Sequence, residues 1–177
     1  MPDRLGSVML STMDSSQATD KITVFLLDDH EVVRRGLRDL LEASGMEIVG
    51  EASTVAEAIG RIPACRPQVA VLDVRLPDGD GIEVCRDVRS DHPEIRCLML
   101  TSFSDDEALM GAIMAGASGY VLKQVRGHDL ADAIRRVARG EYGVVREELP
   151  CRAAGLWGLS NGKRPEAIAW WFSAERL

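Results

Sequence analysis

The sequence predicts a doubly wound α/β fold built on a five-stranded parallel sheet. Three observations support this prediction. Five short apolar runs recur along residues 21–140, and segments with helical spacing of apolar residues alternate with them. The runs have the continuous apolar character that is typical of parallel strands covered on both faces. An aspartate, a threonine or a lysine directly follows four of the five runs, at the strand ends where ligand sites lie in sheets of this type.

The predicted strands and helices follow from two spacings of apolar residues. Short runs rich in β-branched and aliphatic side chains fit strands, and apolar residues three or four positions apart fit helices. The strands cover Ile22–Leu27, Glu47–Glu51, Val69–Leu72, Cys97–Leu100 and Ser118–Leu122. The inward residues are Val33, Leu37, Leu40 and Leu41 in the first helix, Ile82, Cys85 and Val88 in the third, Leu109, Ala112 and Ile113 in the fourth, and Leu130, Ala133, Ile134, Val137 and Ala138 in the fifth.

Helix boundaries are predicted from capping residues and proline. The pattern Thr54-x-x-Glu57 forms a capping box at the start of the second helix, and Ser104-x-x-Glu107 does so for the fourth. Pro63 and Pro67 are expected to break the chain before the third strand, because proline lacks an N–H and clashes with the preceding helical turn.

The composition excludes several classes of protein. The chain of 177 residues has 28 acidic and 21 basic side chains, so its net charge of -7 is unsuited to neutralising phosphates. Its longest apolar runs are far short of the ~18 residues of a membrane span, and residues 1–20 lack the basic start and apolar core of a signal peptide. The four cysteines show no Cys-x-x-Cys spacing and are expected to be reduced. We therefore expect a cytoplasmic protein with no membrane partner.

The residues that follow the predicted strands form the candidate site. They are Asp28 and Asp29 after the first strand, Asp73 after the third, Thr101 after the fourth and Lys123 after the fifth. Because the carboxyl ends of parallel strands meet at one edge of a sheet, these side chains should converge. Three carboxylates in one crevice repel each other unless a cation lies among them, and Mg²⁺ prefers such oxygen ligands. The set therefore suits a tetrahedral anion, with Asp73 as the nucleophile.

Each of these residues also has an ordinary structural explanation. An aspartate after a strand often caps the next helix, a threonine often lies in a turn, and a lysine often solvates a loop. The functional interpretation depends on their combination at one edge of the predicted sheet. The three histidines, in contrast, show no metal-binding spacing and are expected at the surface or at helix starts.

Four motifs at these positions resemble the receiver domain of two-component response regulators. They are Asp28-Asp29-His30, the stretch DVRLPDGDG from Asp73 to Gly81, Leu100-Thr101-Ser102, and the stretch AGASGYVLK from Ala115 to Lys123. The resemblance covers residues 21–140. The last motif, together with DDHEVVRRGL, is similar to the NarL/LuxR-type branch, and GEASTVAEA and VAVLDVRLPDGDGIEVCRD are similar to dormancy regulators within it.

The resemblance implies a fold, a reaction and a cofactor. The fold would be flavodoxin-like (CheY-like), with its five strands in the order 2-1-3-4-5. Asp73 would accept a phosphoryl group from a sensor histidine kinase. The cofactor Mg²⁺ would be held by Asp28, Asp29, Asp73 and the backbone carbonyl of Arg75. The chain would be no enzyme beyond Mg²⁺-dependent self-phosphorylation and self-dephosphorylation.

The same resemblance implies a response to phosphorylation. Lys123 and Thr101 would bind the phosphoryl oxygens, and Tyr120 would swing inward as Thr101 moves. An aspartyl phosphate adds about -1.5 to -2 charge, which would bias a two-state surface formed by the fourth helix, the fifth strand and the fifth helix. A homodimer on phosphorylation is expected at this surface.

The length of the chain divides into a leader, a receiver and a tail. Residues 1–20 are expected to be a disordered leader, residues 21–140 the receiver, and residues 141–177 a linker and an atypical tail. A NarL/LuxR-type regulator would continue into a helix-turn-helix domain of about 60 residues, which does not fit in the tail. DNA binding is expected only if an output domain is supplied. The alternative function is a DNA-binding transcriptional regulator whose output domain is truncated or unrecognised.

Two enzyme classes are alternatives to this interpretation. A hydrolase similar to the haloacid dehalogenases needs a second aspartate two residues beyond its nucleophile, and Arg75 occupies that position. A nucleotide-dependent oxidoreductase needs a glycine-rich turn after the first strand, whereas Asp28 and Asp29 stand there. Both classes are disfavoured.

Overall fold

The computed structural model describes residues 21–102, 106–124 and 126–145. Strands and helices alternate along this part of the chain. The strands are β1 (Thr23–Leu27), β2 (Glu47–Ala52), β3 (Val69–Asp73), β4 (Arg75–Leu76), β5 (Gly79–Asp80), β6 (Arg96–Thr101), β7 (Gly119–Leu122) and β8 (Gly143–Val145). The helices are α1 (Glu31–Ala43), α2 (Val55–Cys65), α3 (Gly81–Asp91), α4 (Asp106–Met114) and α5 (Gly127–Ala138).

One parallel sheet has the strand order β2-β1-β3-β6-β7-β8. Its first five members are the five predicted strands in the order 2-1-3-4-5, so the predicted doubly wound fold is confirmed. The short strand β8 extends the sheet beyond β7 and was not predicted. A second unpredicted feature is the antiparallel hairpin of β4 and β5, which directly follows β3.

The predicted leader and most of the predicted tail lie outside the described residues, as does Ser104 of the second capping box. The domain limits therefore stay predictions. Within the described ranges, no helix has the length and apolar character needed to cross a membrane.

The core consists of two apolar layers, one on each face of the sheet. In β1, Val24 and Leu26 pack with residues of α1 and α5, whereas Phe25 and Leu27 pack with residues of α2, α3 and α4. All four side chains are buried, as expected for a central parallel strand. Full burial of such a side chain contributes roughly 1.5–3 kcal/mol, so the central strands anchor the site that follows their carboxyl ends.

The start of α2 agrees with the prediction from the sequence, whereas its end lies beyond Pro63. Thr54 accepts a hydrogen bond from the N–H of Glu57, which confirms the predicted cap. In the reciprocal bond, the N–H of Ser53 donates to the Glu57 carboxylate. The expectation that Pro63 breaks the chain is wrong, because α2 continues to Cys65. A proline in the last helical turn removes only one N–H, and Arg66 in the left-handed conformation then ends the helix.

Candidate functional site

The carboxyl ends of β1, β3, β6 and β7 bring the predicted site residues to one edge of the sheet. Asp28 follows β1, Asp73 and Thr101 end β3 and β6, and Lys123 follows β7. Asp28, Asp73 and Thr101 are 1%, 5% and 3% exposed, although they are polar. Buried polar side chains require partners. The packing of the apolar strands therefore places these groups where they must interact with one another.

Lys123 joins the two buried carboxylates. Its Nζ lies 2.6 Å from Asp28 Oδ2 and 2.7 Å from Asp73 Oδ2, and its side chain is only 16% exposed. The backbone N–H of Lys123 donates to the carbonyl of Thr101 over 2.7 Å, which fixes the base of the side chain. The predicted convergence of Asp28, Asp73 and Lys123 is thus observed. Removal of one member of such a buried group leaves uncompensated charge.

Burial and ion pairing have opposite effects on the pKa values of Asp73 and Lys123. Burial raises the pKa of Asp73, and the hydrogen bond and charge of Lys123 offset only part of that rise. For Lys123, burial acts to lower the pKa, but the hydrogen bonds and charges of Asp28 and Asp73 outweigh it, so the pKa is raised overall. The ammonium group therefore keeps its proton and is the charged partner that holds the carboxylates together.

A candidate cation site lies beside this ion pair. One ligand atom from each of Asp28, Asp29, His30 and Asp73 falls within 4.8 Å of the others. Asp29 Oδ1 is buried and accepts no hydrogen bond from a described residue, even though His30 Nδ1 lies 2.8 Å away. A carboxylate-rich donor set with an unsatisfied buried oxygen fits a hard divalent cation such as Mg²⁺.

His30 occupies the capping position before α1, which is one of the two kinds of place expected for the histidines. Its N–H donates to Asp28 Oδ1 over 2.9 Å, and its side chain is largely exposed. The backbone of His30 thereby orients the carboxylate that Lys123 binds on its other oxygen.

Three further predicted residues lie in β4, β6 and β7. The backbone N–H of Arg75 donates to the Asp73 carboxylate. Thr101 lines a cavity of about 620 Å³ that Arg75 and Asp80 also line. Tyr120 is fully buried among the apolar residues on the side of the sheet that α2, α3 and α4 cover. The inward movement of Tyr120 and the ligand role of the Arg75 carbonyl stay predictions.

The sequence reasoning missed Arg34. Its Nη1 donates to the backbone carbonyl of Asp28 over 2.7 Å, and its Nε lies 3.6 Å from a Glu51 carboxylate oxygen. Glu51 also accepts from Arg38 at 2.8 Å. An arginine in the first helix has many solvent-exposed alternatives, so its spacing from Asp28 gave no signal of this contact.

Comparison with known proteins supports the assignment made from the motifs. Residues 24–135 match the family model for the response regulator receiver domain. The chain is 62% identical over 145 residues to the DNA-binding transcriptional activator DevR/DosR of Mycobacterium tuberculosis, with 81% of this chain and 67% of that protein covered. It is 40% identical over 121 residues to the response regulator VraR of Staphylococcus aureus, with 68% of this chain and 58% of VraR covered. The chain thus spans about three fifths to two thirds of these relatives.

Solved structures also support the response regulator family. A LuxR-family two-component response regulator from Aurantimonas superposes with a TM-score of 0.67 at 34% identity, over 70% of this chain and 89% of that one. The receiver domain of the putative regulator NarL from Mycobacterium tuberculosis superposes with a TM-score of 0.66 at 33% identity, over 68% and 98%. The family is one of signalling receivers and transcriptional regulators rather than of enzymes. With its fold, its acidic pocket and these similarities taken together, the chain belongs to the response regulator receiver family, in the NarL/LuxR branch.

Proposed function

We propose that Asp73 accepts a phosphoryl group from the phosphohistidine of a sensor kinase, with Mg²⁺ as cofactor. The observation that carries this proposal is the buried ammonium of Lys123, which lies within 2.7 Å of Asp73 Oδ2 and 2.6 Å of Asp28 Oδ2. A cation that pairs with a nucleophilic carboxylate before reaction is placed to pair with phosphoryl oxygens after it. A histidine kinase as the partner follows from the family.

In the proposed reaction, a carboxylate oxygen of Asp73 bonds to phosphorus while the bond from phosphorus to the kinase imidazole breaks. The electron pair stays on the leaving imidazole nitrogen, which takes up a proton. Lys123 transfers its hydrogen bond from the carboxylate to a phosphoryl oxygen, and the Thr101 hydroxyl binds a second one. Asp28, Asp29, Asp73 and the Arg75 carbonyl would hold Mg²⁺, which supplies positive charge to the transferring group.

The proposed output is a change in the surface through which the receiver forms a homodimer. The hydroxyl of Thr101 is drawn toward the phosphoryl group, and the Tyr120 ring, which is buried, moves in response. These two residues are the proposed switch, and α4, β7 and α5 form the proposed surface for homodimer formation. The relative DevR/DosR is a DNA-binding activator. For this chain we propose a cytoplasmic role in transcription regulation, with DNA contacted only through an output domain.

The proposed function is tested by incubating the chain with a small acyl phosphate. In the presence of Mg²⁺ we expect one acid-labile phosphoryl group per chain, measured by intact-protein mass spectrometry. Excess chelator should reduce the labelling rate about 100-fold, because the carboxylates would then repel the incoming anion. Addition of Mg²⁺ after chelation should restore the rate. Labelling that proceeds equally fast without a divalent cation would contradict the assigned cofactor.

Lys123→Ala is expected to slow labelling of the chain by about tenfold or more, since the variant lacks the ammonium that stabilises charge on the phosphoryl oxygens. The same variant should bind Mg²⁺ more tightly by calorimetry, because Lys123 no longer competes for the oxygens of Asp28 and Asp73. Lys21→Ala, which changes an exposed lysine before β1, is the control and should match the original chain. Unchanged labelling in Lys123→Ala would exclude a role for the ammonium in the reaction.

A further inference from the structure

The β4–β5 hairpin connects the nucleophile to helix α2. It begins two residues after Asp73, and its strands pair Arg75 with Asp80 and Leu76 with Gly79. Each strand has only two residues. A two-stranded hairpin of this size is not stable by itself, so its position depends on the groups that anchor its ends.

One anchor of the hairpin lies at its base. The backbone N–H of Arg75 donates to the Asp73 carboxylate, and the N–H of Gly81 donates to the Val74 carbonyl over 2.9 Å. Arg75 is also the residue whose carbonyl is the proposed backbone ligand of Mg²⁺. Any displacement of the hairpin would therefore move the N–H of Arg75 that binds Asp73, together with the carbonyl that is the proposed ligand.

The other anchor is Asp78, in the turn between β4 and β5. Its Oδ1 accepts from the N–H of Val55 over 2.9 Å, and its Oδ2 accepts from the N–H of Ala56 over 3.2 Å. These are the first two residues of α2, whose N–H groups have no partner within the helix. Hydrogen bonds from Val55 and Ala56 lower the pKa of Asp78, so the carboxylate is charged at neutral pH.

The tip of the hairpin also lies close to α2 at the next residue. A Cβ atom on Gly79 would lie 3.1 Å from Cγ2 of Val55, which shows how closely the turn approaches the helix. The carboxylate of Asp78 thus joins the hairpin turn to Val55 and Ala56, which lie 23 and 22 residues earlier in the sequence. Its negative charge also suits the N-terminal end of a helix.

We propose that Asp78 is a positioning residue for phosphoryl transfer, because it clamps the hairpin against the start of α2 and so holds the backbone of Arg75 at the Asp73 carboxylate and the Mg²⁺ site. This role rests on the proposed function. Asp78 touches neither the phosphoryl group nor the cation. Asp78 acts through Arg75. Its effect on cation affinity is separated from its effect on folding by measuring the Mg²⁺ requirement and the unfolding midpoint independently.

The experiment compares Asp78→Ala with Thr54→Ala in the full chain. Both variants remove a side-chain acceptor at the start of α2, but only Asp78 belongs to the hairpin. Asp78→Ala should raise the Mg²⁺ concentration for half-maximal acyl phosphate labelling roughly three- to tenfold, with little change at saturating Mg²⁺. Asp78→Asn keeps one acceptor oxygen and should give a smaller increase. Thr54→Ala should lower the urea midpoint of unfolding without changing the Mg²⁺ requirement.

The proposal would be overturned if Asp78→Ala kept the original Mg²⁺ requirement, or if Thr54→Ala changed it equally. Direct calorimetric titration with Mg²⁺ gives a second readout that does not depend on labelling. If the original chain takes no label, the proposed function fails, but calorimetry still compares the variants. Asp78→Asn replaces Asp78→Ala in both measurements if the alanine variant does not fold.

Discussion

Asp73→Asn is expected to take no phosphoryl label from a small acyl phosphate under conditions in which the original chain takes one. The substitution removes the anionic oxygen that bonds to phosphorus and leaves an amide of nearly equal size. The asparagine amide keeps an acceptor oxygen for the Lys123 ammonium, which also stays paired with Asp28, so the variant should keep its fold. Intact-protein mass spectrometry measures the label, and circular dichroism verifies the fold.

Asp87→Asn is a matched control for this experiment. Asp87 is an exposed aspartate of α3 that points away from the buried face of that helix, so the same chemical change should leave labelling intact. Label that persists in Asp73→Asn with the original stoichiometry would show that another residue is the acceptor. Loss of label in both variants would point to a general effect of charge and not to a nucleophile.

Gly81→Ala is expected to destabilise the receiver by about 3 kcal/mol, at the upper end of the usual cost of forcing extra atoms into a packed site. A Cβ atom at Gly81 would lie 1.9 Å from the backbone carbonyl oxygen of Asp73. Both atoms belong to the backbone or are fixed to it, so neither can rotate away. The start of α3 and the end of β3 would have to separate, which would also displace the nucleophile.

Urea unfolding followed by circular dichroism measures this effect, and Gly36→Ala is the control. Gly36 lies inside α1, and a Cβ there would meet nothing within 4 Å. Alanine has a higher helix propensity than glycine, so Gly36→Ala should be stabilising by up to about 1 kcal/mol. Equal stability of Gly81→Ala and the original chain would show that the β3–α3 junction accommodates a side chain, contrary to the geometry.

Much of the fold could be predicted because the residue patterns that specify its strands and helices each span only a few neighbouring positions. The run from Val69 to Leu72 is apolar at every position, which a strand buried on both faces requires, and all four residues are buried. In α3, Ile82, Cys85 and Val88 follow helical spacing and are buried as predicted. The three strands that were missed are very short: β4 and β5 have two residues each and β8 has three, and so short a strand produces no periodic pattern.

The predicted site combined local and topological information. Asp73 follows a recognisable strand, and the rule that parallel strands end at one edge brought it together with Lys123, 50 positions later. The rule gives proximity but no hydrogen-bond geometry. That Lys123 binds Asp28 and Asp73 at once depends on the register of β1, β3 and β7 and on the bond from its N–H to the Thr101 carbonyl.

The sequence by itself determined the strand-helix alternation, the order of the chemical groups along the strand ends and the family. Tertiary structure alone decided which groups meet: Arg34 binds the Asp28 carbonyl, Asp78 binds the start of α2, and the backbone of Gly81 packs closely against the Asp73 carbonyl. The physical reason is the range of the forces involved. Apolar periodicity acts over a few residues and is visible in the sequence, whereas a hydrogen bond requires positions fixed to a few tenths of an ångström, which only the packed molecule provides.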